Sequence, residues 1–266
     1  PGSGVRSMAF SNEGWTWEGE DLYHQSGEAV ADAGALNGMA WRGLAGTHGA
    51  GAWYGPYTHD LPSGRAYRAY FRLKTNDAST PAEVAALDVV DEAGTSLLGL
   101  RRLRGTDFRA AGVYQEFPVD FDYAEAGSAG LEFRTAFRAT ADLYMDRVLV
   151  VGYPVDIAPS ARWRLTPGEG LKTVTVKFID SAGNVSVDLT ATVVLSDTSP
   201  PTGWRDFAAR WSGGGSVVTF SVRVHDKTSG LNVDSARYRF STDEGVYWSD
   251  WAPAACTGIS GTTELQ

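Results

Sequence analysis

Strict two-residue alternation is what most limits the folds open to this chain of 266 residues. In "AYRAYFRLKT", Tyr67, Ala69, Phe71 and Leu73 point one way and Arg68, Tyr70, Arg72 and Lys74 the other, the period of a strand with one wet face. "LEFRTAFRA" repeats the split, with Leu131, Phe133 and Phe137 opposite Glu132, Arg134 and Arg138. "EVAALDVV" and "SLLGLRRL" flank "DEAG" as a hairpin, and Pro118 inside "VYQEFPVDFDY" predicts an edge strand or a bulge, because proline cannot donate to a ladder. "LYMDRVLVVGY" supplies a last apolar strand, and no helical period of useful length competes with these assignments. The sequence therefore predicts an all-β fold, a jelly-roll β-sandwich over residues 1–153.

After Pro154 the texture changes. "LKTVTVKFID" places Val174, Val176 and Phe178 on one face, "SAGN" turns, and "VSVDLTATVVL" returns. "SDTSPPTG" reads as an extended linker, and strands follow at "SVVTFSVRVHD", "SARYRFST" and "VYWSDWAPA". These are two further β units, 154–197 and 198–266. Each is short of the roughly seven strands that close an immunoglobulin-like core. They are two partial units or one composite, and "CTGISGTTELQ" ends without a closing strand.

Composition excludes several functions. The formal net charge of −9 and the lack of Lys/Arg clusters argue against nucleic acid as a partner. Cys256 is the single cysteine, so neither an internal disulfide nor a cysteine zinc site is available. No apolar run is long enough to cross a bilayer, and "PGSGVRSMAF" lacks the core of a signal peptide. His24, His48, His59 and His225 form no metalloprotease spacing, and neither a nucleophile elbow nor a phosphate-binding glycine loop occurs. Asp120 and Asp122 alternate with Phe121 on a wet strand face, which explains their spacing without catalysis. No enzyme is expected.

Several motifs in the first 153 residues are similar to the calcium-binding jelly-roll carbohydrate-binding modules of families six and thirty-five. They are "WEGEDLYHQSGEAVADAGALNGMAW" with its Ala35–Gly38 turn, "YGPYTHDLPSGRAYRAYFRLKT" and the closing "LYMDRVLV". The resemblance implies a structural calcium held by Glu18, Glu20 and Asp146 with backbone carbonyls. Side chains at i and i+2 of a strand leave on one side, about 6.6 Å apart at Cα, so Glu18 and Glu20 could share a cation. Calcium needs six to eight hard oxygen ligands. Alternation alone makes the same pair an ordinary solvated face, with Trp15 and Trp17 buried behind it, but Asp146 in an apolar strand needs a partner or a cation.

The resemblance also implies a glycan site in loops at one edge, where a pyranose stacks on an exposed ring. Trp53, Tyr54 and Tyr57 in "GAWYGPYTHD", with Trp41 behind them, are the candidates; the same rings could equally plug the core. The family commonly has an asparagine reaching the sugar two residues before the closing aspartate; Tyr144 stands there. "WRLTPGEGLKTVTVKFIDSAGNVS" and "YRFSTDEGVYWSDWAPA" resemble bacterial immunoglobulin-like surface repeats, with Asp180 and Asn184 organising a turn and Trp248 and Trp251 packing a hairpin. The expected protein is a non-catalytic, extracellular or cell-surface glycan-binding module stabilised by calcium. The alternatives are a structural segment that self-assembles through its immunoglobulin-like edges, or an accessory region of a larger secreted hydrolase.

Overall fold

The computed structural model describes residues 4–124, 129–196, 200–212, 217–226, 231–256 and 264–265. It divides into two compact units. The first is Pro1–Trp163 with Val174–Ala191, and the second is Arg164–Thr173 with Thr192–Gln266.

In the first unit β1 (Val5–Asn12), β2 (Thr16–Glu18), β3 (Tyr23–His24), β4 (Glu28–Ala31) and β5 (Met39–Gly43) lead to β6 (Gly51–Tyr54) and β7 (Pro56–Thr58). The long strands are β8 (Arg65–Thr75), β9 (Glu83–Asp91), β10 (Ser96–Arg104), β11 (Gln115–Tyr123), β12 (Leu131–Phe137) and β13 (Leu143–Gly152). Two antiparallel sheets face each other, one ordered β11-β8-β13-β5-β4 with β2 beside β13, the other β10-β9-β12-β6-β3 with β7 beside β12. This is the expected jelly-roll sandwich. Its core is built from the apolar parity of each strand, including Tyr67, Phe71 and Leu73 of β8 and Phe133 and Phe137 of β12. A fully buried side chain of this size contributes about 1.5–3 kcal/mol. Pro118 lies on β11, an edge strand, opposite Tyr70.

The predicted boundary at residue 153 moves. β14 (Val155–Asp156) and β15 (Gly170–Asp180) both pair with β1, and β16 (Leu189–Leu195) follows β15 in a third sheet, β14-β1-β15-β16. The register runs from Val5↔Asp180 to Asn12↔Val174. Ala9 and Ile179 cover the outward faces of Tyr70, Leu149 and Val151, so the sandwich carries an extra layer made from both ends of the unit. The parity of β15 is the reverse of the one expected: Lys177 and Ile179 are buried, whereas Val174, Val176 and Phe178 are half-buried. Lys177 is only 1% exposed because Glu116 lies 2.7 Å and Asp188 2.7 Å from its ammonium, and Arg147 completes the network through Asp188. Trp163 stacks on Phe10, meets Trp15 edge-on and donates to Asn12 at 2.8 Å, fastening the chain after β14.

In the second unit β17 (Thr202–Ser212) and β18 (Val217–His225) pair as a long hairpin. The strands expected at "SARYRFST" and "VYWSDWAPA" shrink to β19 (Arg237–Tyr238) and β20 (Ala252–Pro253). Asp180 binds the Ala182 and Asn184 amides and so organises its turn in the first unit. Arg239 lies over Trp248 and Trp251, and both rings remain exposed. Residues 197–199 of the expected linker and most of "CTGISGTTELQ" lie outside the described residues.

Candidate functional site

Of the expected aromatic group, Trp53, Tyr54 and Tyr57 divide between the two faces of the sheet that holds β6 and β7, and Trp41 stands on β5 of the other sheet. Trp53 and Tyr54 are consecutive on β6, and consecutive strand residues point opposite ways. Trp53 is 0% exposed, stacks on Phe137 at 5.5 Å and donates its indole N–H to the Ser26 carbonyl, so it is core and offers no ring to a ligand. Trp41 donates to the same carbonyl and stacks on His24 at 3.5 Å, which occupies one of its faces. Burial in turn holds the His24 pKa below its usual value.

Tyr54 and Tyr57 belong to an outward cluster that the sequence reading left one member short. Tyr23, on β3 opposite Tyr54, is 56% exposed and lies 5.7 Å from Tyr54 and 5.8 Å from Tyr57, while Tyr54 and Tyr57 meet edge-on at 6.4 Å. Gly55 permits the approach: a Cβ there would stand 3.2 Å from the Tyr23 ring, and its φ of +126° suits glycine. Tyr57 itself has a positive φ of 67°. Beside the rings, on the outward parity of β12 and β9, lie Glu132, Arg134 and Asp88. The Arg134 guanidinium holds both Asp88 carboxylate oxygens, at 2.6 and 3.0 Å. Glu132, expected in solvent, is 4% exposed and hydrogen-bonds to the Tyr57 hydroxyl; burial pushes its pKa up against the pull of Arg134. The exposed Tyr23 ring, with half-buried Tyr54 and Tyr57 packed against it, beside a fixed carboxylate and guanidinium suits a ligand that has apolar C–H faces and hydroxyl edges.

The acidic corner is also rearranged. β2 ends at Glu18, and Gly19–Asp21 form a 3₁₀ turn, so Glu18 and Glu20 are not successive outward residues of one strand. The turn presses on β13: a Cβ at Gly19 would stand 2.4 Å from the Met145 carbonyl oxygen and 3.1 Å from that of Asp146. The ladder to β8 shifts register between Met145 and Arg147, leaving Asp146 as the bulged residue. Asp146 is fully buried, accepts the Leu36 N–H at 3.1 Å and pairs with Arg72. Asn37 donates to Glu20 at 2.6 Å. One carboxylate oxygen of Glu18 and one of Glu20 are nevertheless buried with no hydrogen-bond partner. The Glu18 pKa is pushed up to about 7, first by burial, then by the Asp146 charge, against the opposing effect of Arg147. Among the described residues no group of three or more His, Cys, Asp and Glu side chains has an arrangement that would hold a metal ion. The guanidinium of Arg72 takes the place expected of a cation at Asp146.

Tyr144 faces outward on β13, where Lys74 lies 4.5 Å from its ring centroid and 4.8 Å from that of Tyr114. Asp32 pairs with Lys74 and accepts the Tyr114 hydroxyl at 2.9 Å. The space between these two rings is thus filled by the protein's own ammonium.

No protein-family model matches the chain, and no curated protein sequence matches it. Among solved structures the chain is similar to a carbohydrate-binding module of Cellvibrio mixtus lichenase 5A in complex with cellotriose, at 12% identity and TM-score 0.36, covering 51% of this chain and 95% of that one. It is similar to the C-terminal CBM6 of a marine laminarinase from Zobellia galactanivorans at 12% identity and TM-score 0.34, covering 53% and 99%. The CBM22-1–GH10 modules of a Clostridium thermocellum xylanase, complexed with xylohexaose, match at 15% identity and TM-score 0.32, covering 60% of this chain and 29% of that one. All three TM-scores lie below 0.5, so the fold rests on the strand order given above.

Proposed function

We propose that the first unit is a non-catalytic glycan-binding module, and that the chain works outside the cell or on its surface. The observation that carries this is the outward cluster of Tyr23, Tyr54 and Tyr57 beside Glu132 and the Arg134–Asp88 pair. Two of the four expected ligand residues, Tyr54 and Tyr57, take part; Trp53 and Trp41 support the sheet behind them. Stacking on a tyrosine face removes the apolar side of a pyranose from water, and the fixed polar groups select hydroxyl positions. No helix among the described residues is long and apolar enough to cross a membrane. The test is a glycan array read with the native chain and with Tyr54→Ala/Tyr57→Ala. Binding to a defined glycan that the double variant loses or weakens supports the reading; binding unchanged in the double variant removes the tyrosine cluster as the site, and no binding by the folded native chain removes the glycan reading.

Calcium belongs to the same proposal. Two orphaned, buried carboxylate oxygens are costly unless a cation meets them, and hard oxygen donors suit calcium. Glu18 and Glu20 would hold it, with Asp146 in reach only through exchange with Arg72. The ion would supply positive charge that ties the 3₁₀ turn to the β13 bulge.

A second reading is favoured by the second unit, whose Trp204, Phe207, Phe220, Tyr247 and Trp251 are exposed. Exposed apolar surface on that scale marks a contact face, consistent with an immunoglobulin-like structural segment that assembles with neighbours. Light scattering across a concentration series tests it: a monomer throughout would count against assembly. Membership in a larger secreted hydrolase is compatible with either reading.

A further inference from the structure

The third sheet ends on a strand whose outer edge no described residue covers. β16 (Leu189–Leu195) lies last in the order β14-β1-β15-β16, so one row of its N–H and C=O groups has no ladder partner among the described residues. Its sequence, "LTATVVL", holds no charge and no proline, and Thr190, Thr192, Val193 and Val194 are β-branched. Both of its faces are open: Leu189 is 50% and Val193 46% exposed on one parity, and Val194 is 65% exposed on the other.

The other edge strands of the first unit are protected against pairing with a second chain. β11 carries Pro118 and the acids Glu116, Asp120 and Asp122, and β10 carries Arg101, Arg102 and Arg104. β4 has four residues and opens on Glu28, while β3 and β14 have two residues each. β16 has seven residues and none of these devices. Such an edge is a template for a strand from another molecule.

The segment is complementary to itself. Set antiparallel to a second copy about a two-fold axis at Thr192, it places Leu189 opposite Leu195, Thr190 opposite Val194, Ala191 opposite Val193, and the two Thr192 residues opposite each other. Parity is kept, because Leu189, Ala191, Val193 and Leu195 share one face and Thr190, Thr192 and Val194 the other. Cross-strand pairs of this kind stabilise a ladder, and no like charges meet because the strand has none. Moving the axis to Ala191 or Val193 leaves two residues of each strand unpaired and parts the leucines. We infer that β16 is a self-association site at which two copies of this chain join edge to edge, turning two four-stranded sheets into one. The contact is isologous, so it closes at two copies. It is independent of the exposed aromatics of β17 and β18 in the second unit. A ladder this short is small beside a standard interface of about 1,600 Å², so the dimer forms as concentration rises.

Sedimentation velocity over a concentration series tests this on the native chain and on Val193→Lys. Val193 is exposed, so the lysine leaves the core intact, and thermal unfolding checks that it does. Thr192→Cys and Thr190→Cys, each with Cys256→Ser to remove the native thiol, are oxidised with copper phenanthroline and read on a non-reducing gel. A concentration-dependent native dimer is expected, and Val193→Lys should raise its dissociation constant at least tenfold. Thr192→Cys should cross-link, because directly opposed Cα atoms lie about 4.5–5.5 Å apart, within disulfide reach. Thr190→Cys should not, because its counterpart stands four residues along the partner strand, about 13 Å away. A native monomer at all concentrations without cross-linking overturns the site, as does equal cross-linking at both positions, which is chance collision. A dimer that Val193→Lys leaves intact and Trp204→Ala/Phe207→Ala abolishes also overturns it, and leaves the second unit's contact face standing.

Discussion

Trp53 and Tyr54 are neighbours on β6 that serve opposite sides of the sheet: Trp53 is fully buried against Phe137, whereas Tyr54 meets the exposed ring of Tyr23. Truncating them should therefore have separable effects. Trp53→Ala is expected to cost about 3–5 kcal/mol, the usual range for a large aromatic lost from a core. Tyr54→Ala should leave stability within about 1 kcal/mol and reduce glycan binding at least tenfold. Urea unfolding and glycan titration of both variants check the split; equal loss of stability would contradict the assigned faces.

Gly55 lets Tyr23 lie against the backbone. At φ +126° any side chain is strained, and its Cβ would crowd the Tyr23 ring at 3.2 Å. Gly55→Ala should destabilise by about 1–3 kcal/mol, and it should weaken glycan binding by displacing Tyr23. The contrasting variant Gly64→Ala, also at positive φ but with nothing near its Cβ, should lose stability and keep binding. Loss of binding in both would show that the rings respond to global strain.

Lys177 holds the extra layer to the sandwich through Glu116 and Asp188. Removing one partner of a buried pair leaves uncompensated charge, so Lys177→Ala should cost about 3 kcal/mol. Limited proteolysis should then cut first within 154–191. Lys177→Met combined with Glu116→Gln should recover part of the loss, because a half-satisfied network is the costly state. A single variant as stable as the native chain would show that the network contributes little.

Asp188 gives this network an acid limb. Burial raises its pKa, but hydrogen bonding and charge from Lys177, aided by Arg147, more than offset that and hold it below the usual carboxylate value. A carboxyl depressed on folding stabilises above its unfolded pKa of about 3.9, and the gain is lost as pH falls through the lower folded value. Thermal unfolding from pH 6 to pH 2 should show that loss in the native chain. Lys177→Met should flatten the acid limb; identical slopes would remove Asp188 from the account.

The orphaned oxygens of Glu18 and Glu20 predict a calcium-dependent melting temperature. At calcium a hundredfold above its dissociation constant, the native chain should gain about 2.7 kcal/mol over the same chain in chelator. Glu18→Gln/Glu20→Gln should abolish that difference and, by removing unpaired charge, leave the chelated protein at least as stable. A calcium effect that persists in the double variant would place the ion elsewhere.

For the long strands of the first unit, sequence alone determined which residues share a strand and which share a face. Alternation in 66–75 and 131–137 marked the core of β8 and β12, "DEAG" marked the β9–β10 hairpin, and Pro118 marked the edge strand. That information is local, because side-chain parity follows from the two-residue period of the backbone. The alternation of "GAWY" also held the separation of Trp53 from Tyr54. Tertiary structure decided what covers each face. β15 turned Lys177 inward because Glu116 and Asp188, distant in sequence, meet it there, and the β13 bulge turned Asp146 to Arg72 instead of to Glu18 and Glu20. Tyr23 joined Tyr54 and Tyr57 only through the β3–β6 pairing. Periodicity sets the direction of a side chain, whereas long-range pairing sets its neighbours, and the candidate sites depend on the neighbours.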